Sequence, residues 1–162
     1  MRDKITLIGM PWAGKTTTAL ALAKKLNYDF IDLDQEVEKA EGIGWIEIMN
    51  SKGADYFRAQ GFEFLKNIQS NTKIVISPAG SVIYNQDSME WIKENTLVVF
   101  LDTPFDVIEE RSKLEPKAVA NLSERGLQSI WEERIPMYQS YADVIINTQD
   151  KSVDQIVEEI IR

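Results

Sequence analysis

The sequence predicts an α/β fold, in which a parallel β-sheet is covered by helices on both faces. Three observations predict it. Short apolar runs alternate with segments of helical periodicity along the whole chain. Four of the five strand-like runs are nearly all apolar, as strands buried on both faces are. The stretch Gly9-Met10-Pro11-Trp12-Ala13-Gly14-Lys15-Thr16-Thr17 fits G-x-x-x-x-G-K-[ST] and stands between an apolar run and a helix-like one.

The elements follow in order. Lys4 to Ile8 reads as the first strand. After the loop, Ala19, Leu22, Ala23 and Leu26 recur at helical spacing, so a helix is expected from Lys15 to about Leu26, with Asn27 ending it. Asp29 to Asp32 is a short second strand. Gln35 to Ala40 is helix-like and is broken by Gly42 and Gly44. A short helix is expected over Trp45 to Asn50. A longer one, about Ala54 to Ser70, has Phe57, Gly61, Phe64, Leu65 and Ile68 on one face. Lys73 to Ser77 is a buried strand, and Pro78-Ala79-Gly80-Ser81 turns at its C-terminal end. Asp87 to Glu94 is a helix, and Leu97 to Leu101 a continuous apolar strand. Thr103 suits an N-cap and Pro104 a first helical position, with the helix running to about Lys113. Leu114 to Arg125 shows no apolar periodicity and reads as a mobile excursion. Gly126 to Gln139 is helical, with a kink or stop expected at Pro136. Ala142 to Ile146 is a fifth strand, and Val153 to Ile161 a closing amphipathic helix.

Composition bounds the chemistry. At 162 residues, 44% of them hydrophobic, the chain suits one domain spanning 1–162 with a sizeable core. It has no cysteine, hence no disulfide or thiolate zinc site. It has no histidine, which removes Ser-His and Cys-His catalysis and leaves general-base work to carboxylates or lysine. A net charge of −8 argues against nucleic acid as a partner. No run approaches a membrane span and no signal-peptide core is visible, so no membrane role and a cytoplasmic location are expected.

The glycine-rich loop carries a specific physics. Its backbone N–H groups can turn inward on a phosphate, and the following helix aims its positive end at the same anion. Gly9, Ala13, Gly14, Lys15, Thr16 and Thr17 are therefore candidate ATP-binding residues. Lys15 reaches the transferred phosphate, and the Thr16 hydroxyl is placed for Mg²⁺. The plainer reading is a strand-to-helix turn with a surface lysine.

In parallel sheets ligands bind beyond the C-terminal strand ends. There stand Asp32-Leu33-Asp34 and Gly80. If the chain stays extended, Asp32 and Asp34 face the same side. One is then expected near Mg²⁺, while the other holds or deprotonates an acceptor hydroxyl. The alternative is that Asp34 is a helix N-cap. Arg58 alone reads as a solvated arginine. Arg111, Lys117, Arg125 and Arg134 are either scattered surface charge or a basic segment that closes over a phosphoryl-transfer site.

Taken together, these residues resemble the shikimate kinase family over nearly the whole chain. The matching parts are the loop Gly9–Thr17, Phe30-Ile31-Asp32-Leu33-Asp34, Phe57-Arg58, the turn ending in Gly80, Val99-Phe100-Leu101-Asp102, and Glu133-Arg134-Ile135-Pro136-Met137-Tyr138, which is similar to the family's E-R-x-P-L-Y. The resemblance implies a three-layer P-loop kinase fold of the nucleoside-monophosphate-kinase type, with a five-stranded parallel sheet in order 2-3-1-4-5. It implies transfer of the ATP γ-phosphoryl group to the 3-hydroxyl of shikimate, in the pathway of aromatic amino acid biosynthesis, by a monomer. Asp34 would be the base, and Asp32 would support Mg²⁺ with Thr16. Arg58 and Arg134 would grip the substrate carboxylate, with Gly80 also against the substrate. Arg111 would lie against the adenine. The helices of about 34–70 would bind substrate, and about 114–125 would be the lid.

The sequence departs from the family pattern at three places. The turn is Pro78-Ala79-Gly80 where the family has three glycines. Lys117-Ala118-Val119 is the nearest match to the family's lid arginine and Pro-Leu-Leu. Trp12 stands where a small residue is common. Two alternatives therefore stand beside shikimate: another small, hydroxylated, anionic acceptor, or a nucleotide-binding module without catalysis.

Overall fold

The computed structural model describes residues 3–115, 117, 119 and 122–162. Of the expected lid, Pro116, Ala118, Ala120 and Asn121 lie outside the described residues. The chain runs β1 (Lys4–Ile8), α1 (Lys15–Leu26), β2 (Asp29–Asp32), α2 (Leu33–Glu41), α3 (Trp45–Lys52), α4 (Ala54–Lys66) and β3 (Ile74–Ser77). A 3₁₀ turn over Gly80–Tyr84 follows. Then come α5 (Gln86–Asn95), β4 (Leu97–Asp102), α6 (Phe105–Leu114), α7 (Leu122–Arg125), α8 (Leu127–Tyr141), β5 (Val144–Asn147) and α9 (Val153–Ile161).

Among the described residues the five strands form one parallel sheet in the order β2-β3-β1-β4-β5. Helices cover both sides of it. β1 lies at the centre, and all five of its residues are buried. Its neighbours β3 and β4 are apolar for the same reason. β5 is an edge strand, and Ile145 on it is half exposed. The core joins Ile5, Leu7, Val75, Ile76, Val99 and Phe100 of the sheet to Leu22, Ile92, Tyr138 and Val157 of the helices. A small separate cluster, Val37, Ile48 and Phe57, holds α2, α3 and α4 together beside the sheet. Those three helices form one wall of the cleft above β2 and β3.

Some local expectations are corrected. α2 begins at Leu33, because Asp32 caps it. The Asp32 side chain accepts from the amides of Asp34 and Gln35, two of the donors that a helix start leaves unpaired. Asp34 is therefore not the cap, and Asp32-Leu33-Asp34 is not an extended run. Pro104 is the N-cap of α6 rather than its first helical residue, with extended backbone at φ −55°, ψ 149°. The Thr103 hydroxyl instead meets that of Thr148 at 2.8 Å in the core. α8 runs through Pro136 to Tyr141. The carbonyl that Pro136 leaves unpaired belongs to Glu132. Both residues are exposed, so water can take the place of the missing N–H. α4 stops at Lys66, short of Ser70. The segment expected to be irregular contains the short helix α7.

Candidate active site

The loop between β1 and α1 sets the floor of a cavity of about 420 Å³ at the C-terminal ends of the strands. That is within the usual size of a small-ligand site. Gly14 takes φ +85°, a left-handed conformation that brings the chain into α1. Trp12 also lies at positive φ, +65°, which is rare for a bulky residue. Its indole Nε1–H donates to the Glu115 carbonyl at 2.7 Å, at the end of α6. The Trp12 carbonyl accepts from Arg111 Nη1 at 2.8 Å. Arg111 therefore lies against the loop, outside the cavity lining.

Lys15 lines the cavity, and its Nζ donates to the carbonyls of Gly9 and Met10 at 3.0 and 2.9 Å. Burial brings its pKa down to about 8; the Asp34 carboxylate opposes that, while Lys117 and Arg134 add to it. The ammonium thus remains mostly charged at neutral pH. Thr16 and Thr17 also line the cavity, whereas Gly9 and Ala13 are not among its lining residues. Thr16 Oγ1 donates to Asp32 Oδ2 at 3.0 Å, and the Ser77 hydroxyl lies 3.5 Å from it. This hydroxyl–carboxylate pair is a hard oxygen donor set. Mg²⁺ retains several waters and takes phosphate oxygens as ligands, so two protein oxygens suffice. The residues present fit that ion, although the described residues hold no cluster of three acidic ligands.

Asp34 sits in the first turn of α2, where its carboxylate lines the same cavity. Burial first, then the Asp32 charge, pushes its pKa up to about 7, with Lys15 pulling the other way. A carboxyl so poised can take a proton near neutrality.

The opposite wall is cationic. Arg134 of α8 lines the cavity and is only 2% exposed, yet it has no ion-pair partner among the described residues. A buried guanidinium without a counter-ion is costly, so the site favours an anionic ligand. Arg58 of α4 also lines the cavity. It donates to Asp55 at 2.6 Å, but the Asp55 side chain is 99% exposed, so that pair is weak and easily exchanged. Lys117 completes a set of four cations around the cavity, with Lys15, Arg58 and Arg134. In a chain of net charge −8, this concentrates positive potential on one concave surface.

Gly80 packs where no side chain fits. A Cβ there would lie 2.8 Å from Pro11 Cδ and 3.3 Å from Arg134 Nη1. The Gly80 carbonyl accepts from the buried Tyr138 hydroxyl at 2.7 Å, which ties the turn to α8. Ala79, at φ −55° and ψ 150°, adopts a backbone open to any residue. This explains why Ala79 is tolerated in the turn while Gly80 is retained.

The structure thus brings Lys15, Thr16, Thr17, Asp32, Asp34, Arg58, Gly80, Lys117 and Arg134 to one cavity, with Gly14 at its edge. Sequence reasoning missed Ser77, although it ends an apolar strand where ligand residues are expected. It also missed the apolar lining from Trp45, Ile46 and Met49, which only the packing of α3 reveals. Tyr84, behind the two arginines, left no signal in the sequence.

A loop built for phosphate, a carboxyl poised near neutrality and a cationic wall in one cavity define a P-loop kinase of small molecules. The family model described as shikimate kinase matches residues 11–162. The shikimate kinase of Aquifex aeolicus is 36% identical, the match covering 98% of this chain and 94% of that protein. That of Persephonella marina is 34% identical, over 97% of this chain and 96% of that protein. Among solved structures, the Aquifex aeolicus enzyme superposes with a TM-score of 0.81, covering 98% and 93% of the two chains at 34% identity. The Acinetobacter baumannii shikimate kinase, solved in complex with shikimate, superposes with a TM-score of 0.87, covering 99% and 92% at 27% identity. The chain belongs to the shikimate kinase family. It is an ATP-dependent kinase with a hydroxyl acceptor.

Proposed function

We propose that this protein transfers the γ-phosphoryl group of ATP to the 3-hydroxyl of shikimate, as a step in the shikimate pathway of aromatic amino acid biosynthesis. The observation that carries the reading is the buried Arg134, without an ion-pair partner among the described residues and facing the same cavity as Lys15 and Asp34. That cation calls for an anionic acceptor, and the carboxylate of shikimate supplies one. Arg58 and Arg134 hold the carboxylate, for which planar guanidinium groups are well shaped. Asp34 receives the proton of the attacking hydroxyl. The hydroxyl oxygen bonds to the γ-phosphorus as the bond to the bridging oxygen of ADP breaks. Lys15 leaves the Gly9 and Met10 carbonyls for the phosphate oxygens, and Lys117 adds charge from the lid side. Gly80 allows the acceptor to approach the backbone. Arg111 lies against the adenine, with Gly9, Ala13, Gly14, Thr16 and Thr17 around the phosphates. Thr16 and Asp32 hold Mg²⁺, which neutralises phosphate charge when bound.

We propose a single domain working as a monomer. We propose the cytoplasm, where ATP is supplied, as its location. Among the described residues no helix is long and apolar enough to cross a membrane. The test is ADP release from MgATP with and without shikimate, alongside a panel of other hydroxylated acids. Shikimate-dependent release with the highest kcat/KM of the panel is expected. Faster turnover of another acid would reassign the acceptor, and no release with any acceptor would reduce the protein to a nucleotide-binding module.

A further inference from the structure

The two arginines of the cationic wall share one aromatic ring. The guanidinium carbon of Arg134 lies 5.2 Å from the centroid of Tyr84, and that of Arg58 lies 5.9 Å from it. Tyr84 closes the 3₁₀ turn that begins at Gly80 and does not itself line the cavity. Its hydroxyl donates to Glu133 Oε2 at 2.7 Å and accepts from Arg134 Nε at 3.4 Å. Glu133 Oε2 also accepts from Arg125 Nη1 at 2.6 Å. The ring is thus fixed at its rim by hydrogen bonds to Glu133 and Arg134, and its face meets both cations.

Two like charges aimed at one small volume repel each other, and the carboxylates near them, Glu133 beyond Tyr84 and the exposed Asp55, lie outside the cavity lining. Among the described residues Arg58 has an ion pair only with the exposed Asp55, and Arg134 has none. The face of an aromatic ring carries negative charge and attracts a guanidinium within about 6 Å. It does so without competing as a carboxylate would, because a carboxylate at that place would neutralise the clamp and exclude the ligand's own. We infer that Tyr84 is a positioning residue for the acceptor: it holds Arg58 and Arg134 side by side as one carboxylate clamp while leaving their charge free. The inference rests on the proposed carboxylate site. It adds that selectivity for an acid over its neutral analogue depends on a residue the substrate does not touch.

The experiment compares Tyr84→Leu, Tyr84→Phe, Arg58→Lys and Arg134→Lys in steady-state kinetics, with shikimate and with its neutral carboxamide. Tyr84→Leu removes both ring and hydroxyl. It should raise KM for shikimate roughly tenfold, as expected for loss of two cation–π contacts. KM for ATP and kcat should stay near wild type, and KM for the carboxamide should not move. Tyr84→Phe keeps the ring but frees its rim, so the rise should be smaller, about threefold, the equivalent of a modest hydrogen bond. If Tyr84→Leu misfolds by thermal melt, the Phe variant carries the test alone. A wild-type KM for shikimate in the Tyr84 variants, with a raised KM in Arg134→Lys, would keep the clamp and overturn the role of Tyr84. Equal losses with shikimate and the carboxamide would also overturn it, since that is general distortion. Unchanged KM in both Arg→Lys variants would remove the carboxylate site itself, and the inference with it.

Discussion

Replacing Asp34 by asparagine should make the protein more stable and nearly inactive, and the two effects should part with pH. Burial and the neighbouring Asp32 raise the Asp34 pKa from 3.8 to about 7. At about 1.4 kcal/mol per pKa unit, that is a penalty of about 4 kcal/mol for carrying the charge in the folded state. Two effects reduce it. The carboxylate lines an open cavity rather than being sealed in the core, and it stands in the first turn of α2, where the helix dipole favours an anion by about 0.3–1 kcal/mol. A net gain of about 2 kcal/mol for Asp34→Asn at pH 8 is the working figure, or a rise in Tm of about 4–8 °C for a chain this long. The sign follows from linkage. The folded state holds this proton more tightly than the unfolded one. The wild type therefore loses stability as pH rises from about 4 to about 7 and remains at the lower level above that. Asparagine has no proton to lose, so its advantage should be absent below pH 4 and complete above pH 7. Thermal melts of both proteins between pH 4 and 8 measure it. Over the same range, kcat/KM of the wild type should fall about tenfold per pH unit below 7, and the variant should lose about 10²-fold or more in kcat. An asparagine variant that melts at or below the wild-type temperature at pH 8 would refute the burial argument. Wild-type kcat in that variant would remove Asp34 from proton transfer.

Three further outcomes are expected. Lys15→Ala should lower kcat by roughly 10²-fold or more, because preorganised charge at the transferring group is a large term, and near-normal turnover in the coupled assay would exclude Lys15 from the mechanism. Trp12→Phe keeps an aromatic ring but loses the pyrrole half of the buried indole and with it the 2.7 Å bond to the Glu115 carbonyl; with about 1 kcal/mol from the bond and more from the space left behind, Tm should fall by at least about 2–4 °C, and an unchanged melt would mean that the indole anchors nothing. Gly61→Ala should raise Tm by about 2–4 °C, because helix interiors favour alanine by about 1 kcal/mol. A Cβ at Gly61 would meet nothing within 4 Å, so a lower Tm in a differential scan would contradict that reading of the space.

The sheet was legible because its information is local. A continuous apolar run such as Leu97 to Leu101 has few uses other than a doubly buried strand. The loop and Lys15 were legible because phosphate binding by backbone requires glycines at fixed spacing. The start of α2 was not, since either Asp32 or Asp34 could cap it. The choice fell to Asp32 because its second oxygen also receives the Thr16 hydroxyl, a contact 16 residues away in the chain. Both carboxylates line the cavity, one capping the helix and the other standing in its first turn. Long-range contacts hid the rest. Arg58 looks like any helix-surface arginine until Tyr84 and Arg134 are placed beside it.

The tryptophan in the phosphate loop shows how a chain can depart from a family pattern without losing the conformation that pattern encodes. A left-handed backbone costs a bulky residue about 1–3 kcal/mol, which a glycine at position 12 would avoid. Here the cost is offset from both ends of the same residue. The indole is 6% exposed and packs in the main core. Its N–H reaches Glu115, and its carbonyl receives Arg111 one helical turn earlier on α6. Arg111 and Glu115 are themselves joined through the last backbone bond of that helix. A glycine would take this shape without strain and could still receive Arg111 at its carbonyl, but it would lose the indole's bond to Glu115 and its packing. The tryptophan holds the shape by binding the end of α6, two residues before Lys117 enters the cavity lining. Strain in the loop and placement of Lys117 are then one structural feature, and a change at position 12 should be felt at both.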